Sequence, residues 1–443
     1  MTDLLKPDVF WGAEPAPERA GATVTDAAGT DPLKSLTVIA VIAPFPLASN
    51  FPAAWLAWSA LVGLAWLRAP VSRTGHDLSP TQSRLIWITL LIAGFAILQA
   101  AAGLLPLDLG FLPNASHAPT ATLLAATRIM AFALILNMLF ATRRAAPDYV
   151  RMGEWLFWGI VIHALLALLR LYVFPGDPTT TVPTRYLNSA SGGFVSPNAF
   201  AMQTGFGLML GLAYLEGRTG WVRNLHLLAI AVLTAALFAT QSRLGIVSVT
   251  AASIVVAVMV PGRMVVVALA VSGIIFIAAA GFIFGSVGAR LPDLAGAFSD
   301  RTELYAQVAE LIAANLFGGV GLDAFASAFP TVHKAPVTAG FIWEHTHSTY
   351  LTLWAEAGIM IGSLPILAST LAAAELLRRI KSLPRGPARV LPVAALAALV
   401  QAALHSLFDF ALEVYANTLT LSLLVAMALA PVRTRVRKKG ANP

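Results

Sequence analysis

Apolar segments long enough to cross a bilayer follow one another through most of this 443-residue chain, and no other feature limits its fold as strongly. A helix needs about 20 apolar residues to span the hydrocarbon core. Only 12% of the residues are charged, against about 25% in soluble proteins. We therefore expect an all-α, polytopic integral membrane protein with about twelve transmembrane helices, near residues 35–50, 52–68, 85–105, 121–142, 152–174, 197–216, 222–240, 244–260, 264–285, 348–376, 388–408 and 412–431.

The positions of lysine and arginine predict how these helices are oriented. With the N-terminus inside, the predicted inner segments hold 22 of the 29 Lys and Arg residues, and the outer segments hold 5. Basic residues concentrate in cytoplasmic loops, so both termini are predicted to be cytoplasmic. The net charge of +7 follows from this topology. We therefore expect a lipid bilayer around the protein and no nucleic-acid partner.

Five regions follow from the same pattern. Residues 1–33, rich in Ala, Pro, Gly and Asp, are predicted to be a disordered cytoplasmic tail. An N-terminal transmembrane region of about nine helices follows at 34–285, and a periplasmic loop with amphipathic helices at 286–347. A C-terminal transmembrane region of about three helices occupies 348–431, before a basic cytoplasmic tail at 432–443.

The predicted topology brings polar residues from separate parts of the chain to one outer face. Besides the long loop 286–347, that face receives the segment 175–196, the turn 240–245 and the segment 404–410. Span positions and basic residues alone give this result, so it does not depend on any motif. It predicts a substrate site on the outer face.

Arg243 and Arg301 are predicted to bind an anionic group such as a lipid pyrophosphate, because guanidinium pairs bidentately with phosphate oxygens. Arg243 lies in a near-continuous apolar run, where snorkelling to the interface is the structural alternative. Arg301 precedes a run from Glu303 to Asn315 that is predicted to be an amphipathic helix on the outer surface. Arg301 would lie near its N-terminus, where free N–H groups favour anions, or would be an ordinary surface arginine. The apolar positions of the run recur at a helical period: Leu304, Val308, Leu311 and Ile312.

Four further residues are candidates for contacts to the substrate. Arg128 and Arg170 lie toward the outer ends of their predicted spans, where a phosphate contact and a packing role are both open. Asn198 starts a predicted span, which Ser196 is expected to cap, and is a candidate to contact a sugar or a phosphate. Arg185 lies in the outer segment before that span.

His345 and His347 stand two residues apart, so they would share one face of an extended segment that leads into the next span. The chain contains no cysteine, and no close carboxylate accompanies the pair, so a metal site is not expected. Acid–base chemistry fits better, because histidine titrates near neutral pH and can take a proton from an attacking hydroxyl. His347 is the predicted base, with Glu344 or His345 as its helper. A structural hydrogen bond or helix cap is the alternative.

His405 and Asp409 are four residues apart, so they would share one face of a helix. We expect a charge-assisted pair at the outer end of a predicted span. A structural pair and a catalytic pair are both open from the sequence.

Several of these motifs together resemble the superfamily of O-antigen ligases and polymerases, which are polytopic bacterial membrane proteins. The resemblance lies in the order, spacing and shared outward topology of the motifs, and it covers roughly Arg185 to Ala430. The matching pieces are Phe194-x-x-Pro-Asn198-x-x-Ala201, Ser242-Arg243-x-Gly245, Arg301 with the Gly319-Val-Gly321 turn, His347-Ser-x-Tyr350-Leu351, Glu356-x-Gly358-x-x-x-Gly362 and His405-Ser-x-x-Asp409-Phe410.

The resemblance implies a C-type membrane glycosyltransferase fold and an inverting transfer without metal, nucleotide sugar or other cofactor. The donor would be a glycan on a polyprenyl diphosphate such as undecaprenyl diphosphate, and the acceptor a hydroxyl of a glycan or lipid. Carried onto this chain, Arg243 and Arg301 would neutralise the leaving diphosphate and His347 would activate the acceptor, with Tyr350 among the substrate contacts. The site would face the periplasm from the bacterial inner membrane. Ser348 stands where family members often carry Asn, which leaves the acceptor open.

Within that resemblance, a ligase and a polymerase are both open. A ligase moves a finished chain onto a terminal acceptor such as lipid A-core, in lipopolysaccharide biosynthesis. A polymerase extends one lipid-linked chain with another repeat, and the His405-Ser-x-x-Asp409-Phe410 ending favours such a role in capsule or exopolysaccharide biosynthesis. A transferase that O-glycosylates proteins is a third variant.

The alternative from another class is a transporter of a small solute or anion, since twelve spans with both ends inside also occur there. The chain shows no internal repeat that links its two halves, and its polar residues cluster at one face. Both observations favour the enzyme.

Overall fold

A computed structural model describes the chain at residues 31–45, 51–69, 78–105, 115–142, 146–173, 189–194, 196–260, 291–337 and 342–431, and at positions 262, 273 and 340. All regular secondary structure within these ranges is helical. The first group of helices is α1 (Pro32–Ile42), α2 (Pro52–Arg68), α3 (Pro80–Leu104), α4 (Pro119–Ala141), α5 (Ala146–Tyr172), α6 (Pro197–Tyr214), α7 (Gly220–Ala239) and α8 (Arg243–Met259). The second group is α9 (Leu291–Ala314), α10 (Phe325–Ala328), α11 (Thr349–Gly362), α12 (Leu364–Ser382), α13 (Val390–His405) and α14 (Tyr415–Leu429).

Helix α6 lies at the centre of the bundle, because nearly all of its residues are buried. Its sequence is apolar or small on every side, as expected for a helix without a solvent face. It packs against α5, α7, α8 and α13. Gly205 permits the approach of α13, since a Cβ there would lie 2.2 Å from the side-chain nitrogen of Gln401. The helices that carry Asn198 and His405 at their ends are therefore in direct contact.

Within its described residues, the structure shows fewer candidate membrane spans than the twelve that the sequence predicts. Within the described residues, five helices are long and apolar enough to cross a bilayer: α3, α4, α5, α7 and the helix Pro387–His405 that includes α13. A sixth results if α11 and α12 count as one broken span. The number twelve is not confirmed, since helices such as α14, with 15 residues, are shorter than the roughly 20 that a crossing needs. Nearly all of the predicted span 264–285 and of both predicted tails lies outside the described residues.

The predicted span at 348–376 consists of two helices, α11 and α12, whose axes differ by 72° across the break at Ser363. Gly358 takes non-helical angles inside α11, with φ 70° and ψ 168°. The amide of Ile359 donates to the carbonyl of Leu316 at 2.8 Å instead of continuing the helix. The chain between α9 and α10 therefore docks beside Gly358, within α11.

Helix α9 is amphipathic, as predicted, and its apolar side packs with α10 and α11 in a second, smaller core. The predicted start near Glu303 is wrong, since α9 begins at Leu291. Pro292, the second residue of the helix, suits a helix start. Arg301 therefore lies inside the helix, where no free backbone N–H groups can assist it. The buried positions on the apolar side are those predicted: Leu304, Val308, Leu311 and Ile312.

Candidate functional site

The segment between α13 and α14 lies at the centre of the candidate site. Asp409 in this segment is 1% exposed and accepts hydrogen bonds from the backbone amide of Ala411 at 2.9 Å and the side-chain amide of Asn198 at 2.6 Å. His405 Nε2 lies 3.9 Å from Oδ1 of Asp409. The prediction that these two residues share a helical face is wrong, because α13 ends at His405. The turn that follows the helix brings them together instead.

The Asp409 carboxyl titrates far from its ordinary range. Burial raises the pKa of Asp409 to about 6, while the hydrogen bonds from Asn198 and Ala411 and the charge of Arg301 oppose that rise. The negative charge of Glu413 adds to it. A carboxyl of this kind changes its charge close to neutral pH, which is a property of functional sites.

The rings of His345 and His347 meet on Phe410. His345 stacks on Phe410 with 4.0 Å between the ring centroids and 4° between the planes. His347 meets the same ring edge-on, at 5.5 Å and 69°, and meets Trp343 edge-on at 6.0 Å. The prediction of an extended segment fails at His347, whose φ of 59° is left-handed. Contact with Phe410, and not the alternation of a strand, brings the two histidines together.

His345 is paired with Glu413, whose Oε2 lies 2.9 Å from Nδ1 of the imidazole. Burial lowers the pKa of His345, but the hydrogen bond to Glu413 and the charges of Glu413, Glu344 and Asp323 outweigh burial, so the pKa is raised. The predicted helper Glu344 is exposed and contributes through its charge. The acidic groups around His345 therefore stabilise its protonated form relative to that of a free histidine.

Helix α9 packs beside the segment 343–347, which carries His345 and His347. The Tyr305 hydroxyl donates to the backbone carbonyl of His347 at 3.0 Å. Burial raises the pKa of Tyr305 and of Asp409, and the charge of Arg301, one turn before Tyr305, lowers both. Arg301 is thus close to both groups, and it is exposed. A guanidinium in this place is available to an anionic substrate.

Helix α8 starts at Arg243, beside the start of α6. Ser242 caps α8 by accepting a hydrogen bond from the amide of Gly245 at 3.1 Å. A Cβ on Gly245 would lie 2.6 Å from the side chain of Ala201, which is in the first turns of α6. Arg243 is exposed at this junction of two helix starts. The free backbone N–H groups at helix starts favour the binding of an anion.

The same end of the bundle holds Asn198 and His405. Ser196 caps α6 by accepting a hydrogen bond from the amide of Asn198 at 3.3 Å, which confirms the predicted cap. Ser248, on α8, lies 3.5 Å from Nδ1 of His405. The ends of α6, α8 and α13 are therefore neighbours, and their predicted site residues lie close together.

The glycine turn between α9 and α10 docks against α11. Gly319 and Gly321 have φ of 67° and 107°. The amide of Gly321 donates to the backbone carbonyl of Glu356 at 2.9 Å. The buried carboxylate of Glu356 accepts from the amides of Asp323 at 2.9 Å and Phe325 at 3.1 Å. These bonds fix Asp323 beside the site.

The predicted phosphate contacts Arg128 and Arg170 bind other parts of the protein. Arg128 Nη2 lies 2.9 Å and 3.2 Å from the two carboxylate oxygens of Asp323. The Arg128 guanidinium also lies 4.7 Å over the ring of Trp55. Arg170 donates to the carbonyl of Gly192 at 3.2 Å. Both sets of contacts fit the packing role that the sequence left open.

Two further candidates complete the set. The Tyr350 hydroxyl donates to the carbonyl of Ala403 on α13 at 3.0 Å, so it joins α11 to α13. Arg185 lies outside the described residues.

An apolar groove of about 360 Å³ lies between α2, α3 and α4. Its walls include Leu56 of α2 and Leu123 and Met130 of α4. Arg128 follows Thr127, another wall residue, on the same helix. A lining of this kind suits a hydrocarbon chain better than a polar ligand.

Three residues of the site were not predicted as functional: Phe410, Glu413 and Tyr305. Phe410 already stands in the motif that ends at Asp409-Phe410, but its contacts depend on the turn after α13. Glu413 is an acid in an otherwise apolar stretch before α14, which was an available signal. Tyr305 lies four residues after Arg301, so helical spacing alone places both on one side of α9.

Comparison with known proteins supports a family assignment. No curated protein matches the chain significantly. The family model for O-antigen ligase matches residues 228–367, a stretch that begins in α7 and ends in α12. That stretch contains Arg243, Arg301, His345 and His347. With the apolar helical architecture, this partial match supports the resemblance of the chain to the superfamily of O-antigen ligases and polymerases.

Proposed function

We propose that this protein transfers a glycan from a polyprenyl-diphosphate carrier to an acceptor hydroxyl, as an O-antigen ligase or polymerase. The family match supports glycan transfer of this type with a lipid-linked donor. One observation carries the proposal: Arg301, His347 and Asp409 come from three separate segments of the chain and lie close together. Tyr305 and Phe410 lie between them. The distribution of basic residues supports a site on the periplasmic face of a bacterial inner membrane, with both termini in the cytoplasm.

In the proposed reaction, His347 accepts the proton of the acceptor hydroxyl while the hydroxyl oxygen attacks the anomeric carbon of the donor sugar. The bond from that carbon to the diphosphate oxygen breaks, its electron pair leaves with the diphosphate, and the configuration inverts. Arg301 and Arg243 stabilise the charge that builds on the leaving group. The scheme uses no metal ion, because the arginines supply the positive charge.

The surrounding contacts give the remaining groups a role in this scheme. Asn198 is half-buried at the bundle end that carries Arg243, where it is placed for a hydrogen bond to a sugar hydroxyl. Asp409, which is 1% exposed, holds the Asn198 side chain in position through their hydrogen bond and does not itself contact the sugar. We place the hydrocarbon chain of the donor in the groove between α2, α3 and α4. Arg128 links the groove to the site, because its partner Asp323 acts by charge on His345.

Reconstitution of the purified protein into liposomes tests the proposal. The vesicles receive a lipid-diphosphate oligosaccharide, and the products are separated by size with and without a chelator. A ladder of lengths identifies a polymerase, and a single shift of an added acceptor identifies a ligase. Loss of transfer in the chelator would contradict the metal-free scheme.

A matched pair of variants locates the reaction. His347→Ala should abolish transfer. Lys334→Ala should retain it, because the Lys334 side chain is 59% exposed and pairs with the exposed Glu310. If no donor is used and the vesicles instead show solute flux that depends on the protein, the transporter is the better interpretation.

A further inference from the structure

Phe410 connects an ion pair to the proposed base. The imidazole of His345 lies parallel to one face of the Phe410 ring, with 4.0 Å between centroids. The imidazole of His347 contacts the same ring edge-on at 5.5 Å. Aromatic pairs at these distances have preferred geometries, so a change in the position of Phe410 alters both contacts.

The surroundings of His345 favour its charged form. Glu413 accepts its hydrogen bond at 2.9 Å, and the side chains of this pair are 25% and 17% exposed. The charged groups that act on His345 are Glu413, Glu344 and Asp323, and all three are acidic. A cation held over an aromatic face is attracted to it, so a protonated His345 binds Phe410 more tightly than a neutral one.

We propose that His345 and Glu413 are positioning residues for glycan transfer: their ion pair holds Phe410, and Phe410 orients the imidazole of His347. This inference rests on the proposed role of His347 as the base, and it gives Glu413 a role in that reaction. Loss of the His345 proton weakens both the pair with Glu413 and the contact with Phe410. Transfer therefore needs a protonated His345 and a neutral His347 at the same time.

The pH profile of transfer in reconstituted vesicles tests this requirement. The alkaline limb of that profile reports the loss of the His345 proton. Glu413→Gln removes an opposite charge, which ordinarily changes a pKa by about 1–3 units, so the alkaline limb should move to lower pH by that amount. Glu310→Gln makes the same substitution in the exposed pair with Lys334 and should leave both limbs in place. A Glu413→Gln variant that is slower by the same factor at every pH would overturn the proposal.

Nuclear magnetic resonance of the histidine-labelled protein gives a readout that needs no substrate. The chain has 8 histidines, and the signals of His345 and His347 are assigned from single substitutions. In the wild-type protein, titration of His345 should displace the His347 signal. Phe410→Leu should abolish that displacement.

The pH profile and the magnetic resonance titration test the positioning role and the proposed function separately. If the His347 signal does not shift when His345 titrates in the wild-type protein, the positioning role is overturned, whatever the transfer activity. If the two histidine signals shift together but the protein uses no lipid-linked donor, the contact between the histidines through Phe410 stands and the proposed function is overturned. The wild-type titration also decides the matter if Glu413→Gln does not fold.

Discussion

The side-chain amide of Asn198 donates a 2.6 Å hydrogen bond to Oδ2 of Asp409, a residue 211 positions later in the chain. The bond joins the first turn of α6 to the segment between α13 and α14, at a carboxyl that is 1% exposed. A buried charge without such a donor is costly. The central helix and the candidate site therefore depend on each other through this contact.

Asn198→Leu should destabilise the protein by about 1.5–3 kcal/mol at pH 8, because hydrogen bonds to charged groups contribute this much. The pKa of Asp409 should also rise further, since the lost bond is one of the contacts that lower it. Thermal unfolding in detergent at pH 8 measures the first effect. Asn315→Leu serves as a control, because the Asn315 amide bonds to the carbonyl of Leu311 within its own turn at 3.0 Å. Equal losses for the two variants would speak against a special role of the bond to Asp409.

Asp409 should make the protein less stable as the pH rises. Its ordinary pKa is 3.8, and burial raises it to about 6 in the folded protein. The folded state therefore holds this proton more tightly than the unfolded state, so stability falls as the pH rises from 3.8 through about 6 and then levels off. The rise corresponds to about 3 kcal/mol.

Asp409→Asn should remove that dependence. The variant should gain stability over the wild-type protein above pH 6, show little difference at pH 4, and lose transfer because the site loses its carboxylate. Unfolding free energies of both proteins at pH 4 and pH 8 give the comparison. A difference that stays constant between the two values would contradict the assignment to Asp409.

The arrangement of the site could be predicted in outline because the bilayer constrains the chain independently of any contact. The lengths of the apolar segments and the positions of the basic loops are enough to predict one shared face for four residues: Asn198, Arg243, His347 and Asp409. The structure brings these segments together at one end of the bundle. The apolar side of α9 was likewise readable from its helical period.

The partners within the site could not be read from the sequence, because they depend on where helices end. The His345 contact with Glu413 needs the turn after α13 and the left-handed φ of His347. The apolar period read from Glu303 to Asn315 puts Arg301 at a helix start, whereas the helix begins at Leu291. The break at Gly358 comes from contacts with the chain before α10, which no local pattern reveals.

Arg301→Ala should lower the transfer rate by a factor of about 10²–10³, the usual effect of removing one preorganised stabiliser of transition-state charge. Arg301→Lys should recover part of this loss, since it restores the charge but not the bidentate geometry. Because Arg301 is exposed on α9, neither variant should unfold the protein. Single-turnover rates in vesicles test this, with Lys334→Ala as the exposed control. If the rate of Arg301→Ala is within a few-fold of the wild-type rate, the proposed contact between Arg301 and the leaving diphosphate is contradicted.

Gly319→Ala should be more harmful than Gly217→Ala, although both glycines have left-handed backbone angles, with φ of 67° and 81°. An L-residue in that region costs about 1–2 kcal/mol, and this is the whole effect expected at Gly217, where a Cβ would meet nothing within 4 Å. At Gly319 the Cβ would also lie 2.3 Å from the carbonyl of Glu356, so the loop must move away from α11. Asp323 would move with the loop, because Glu356 holds its amide. We therefore expect Gly217→Ala to lower the melting temperature slightly and keep transfer, and Gly319→Ala to lose both stability and transfer. Identical melting curves and rates for the two variants would show that the docking of the glycine turn does not support the site.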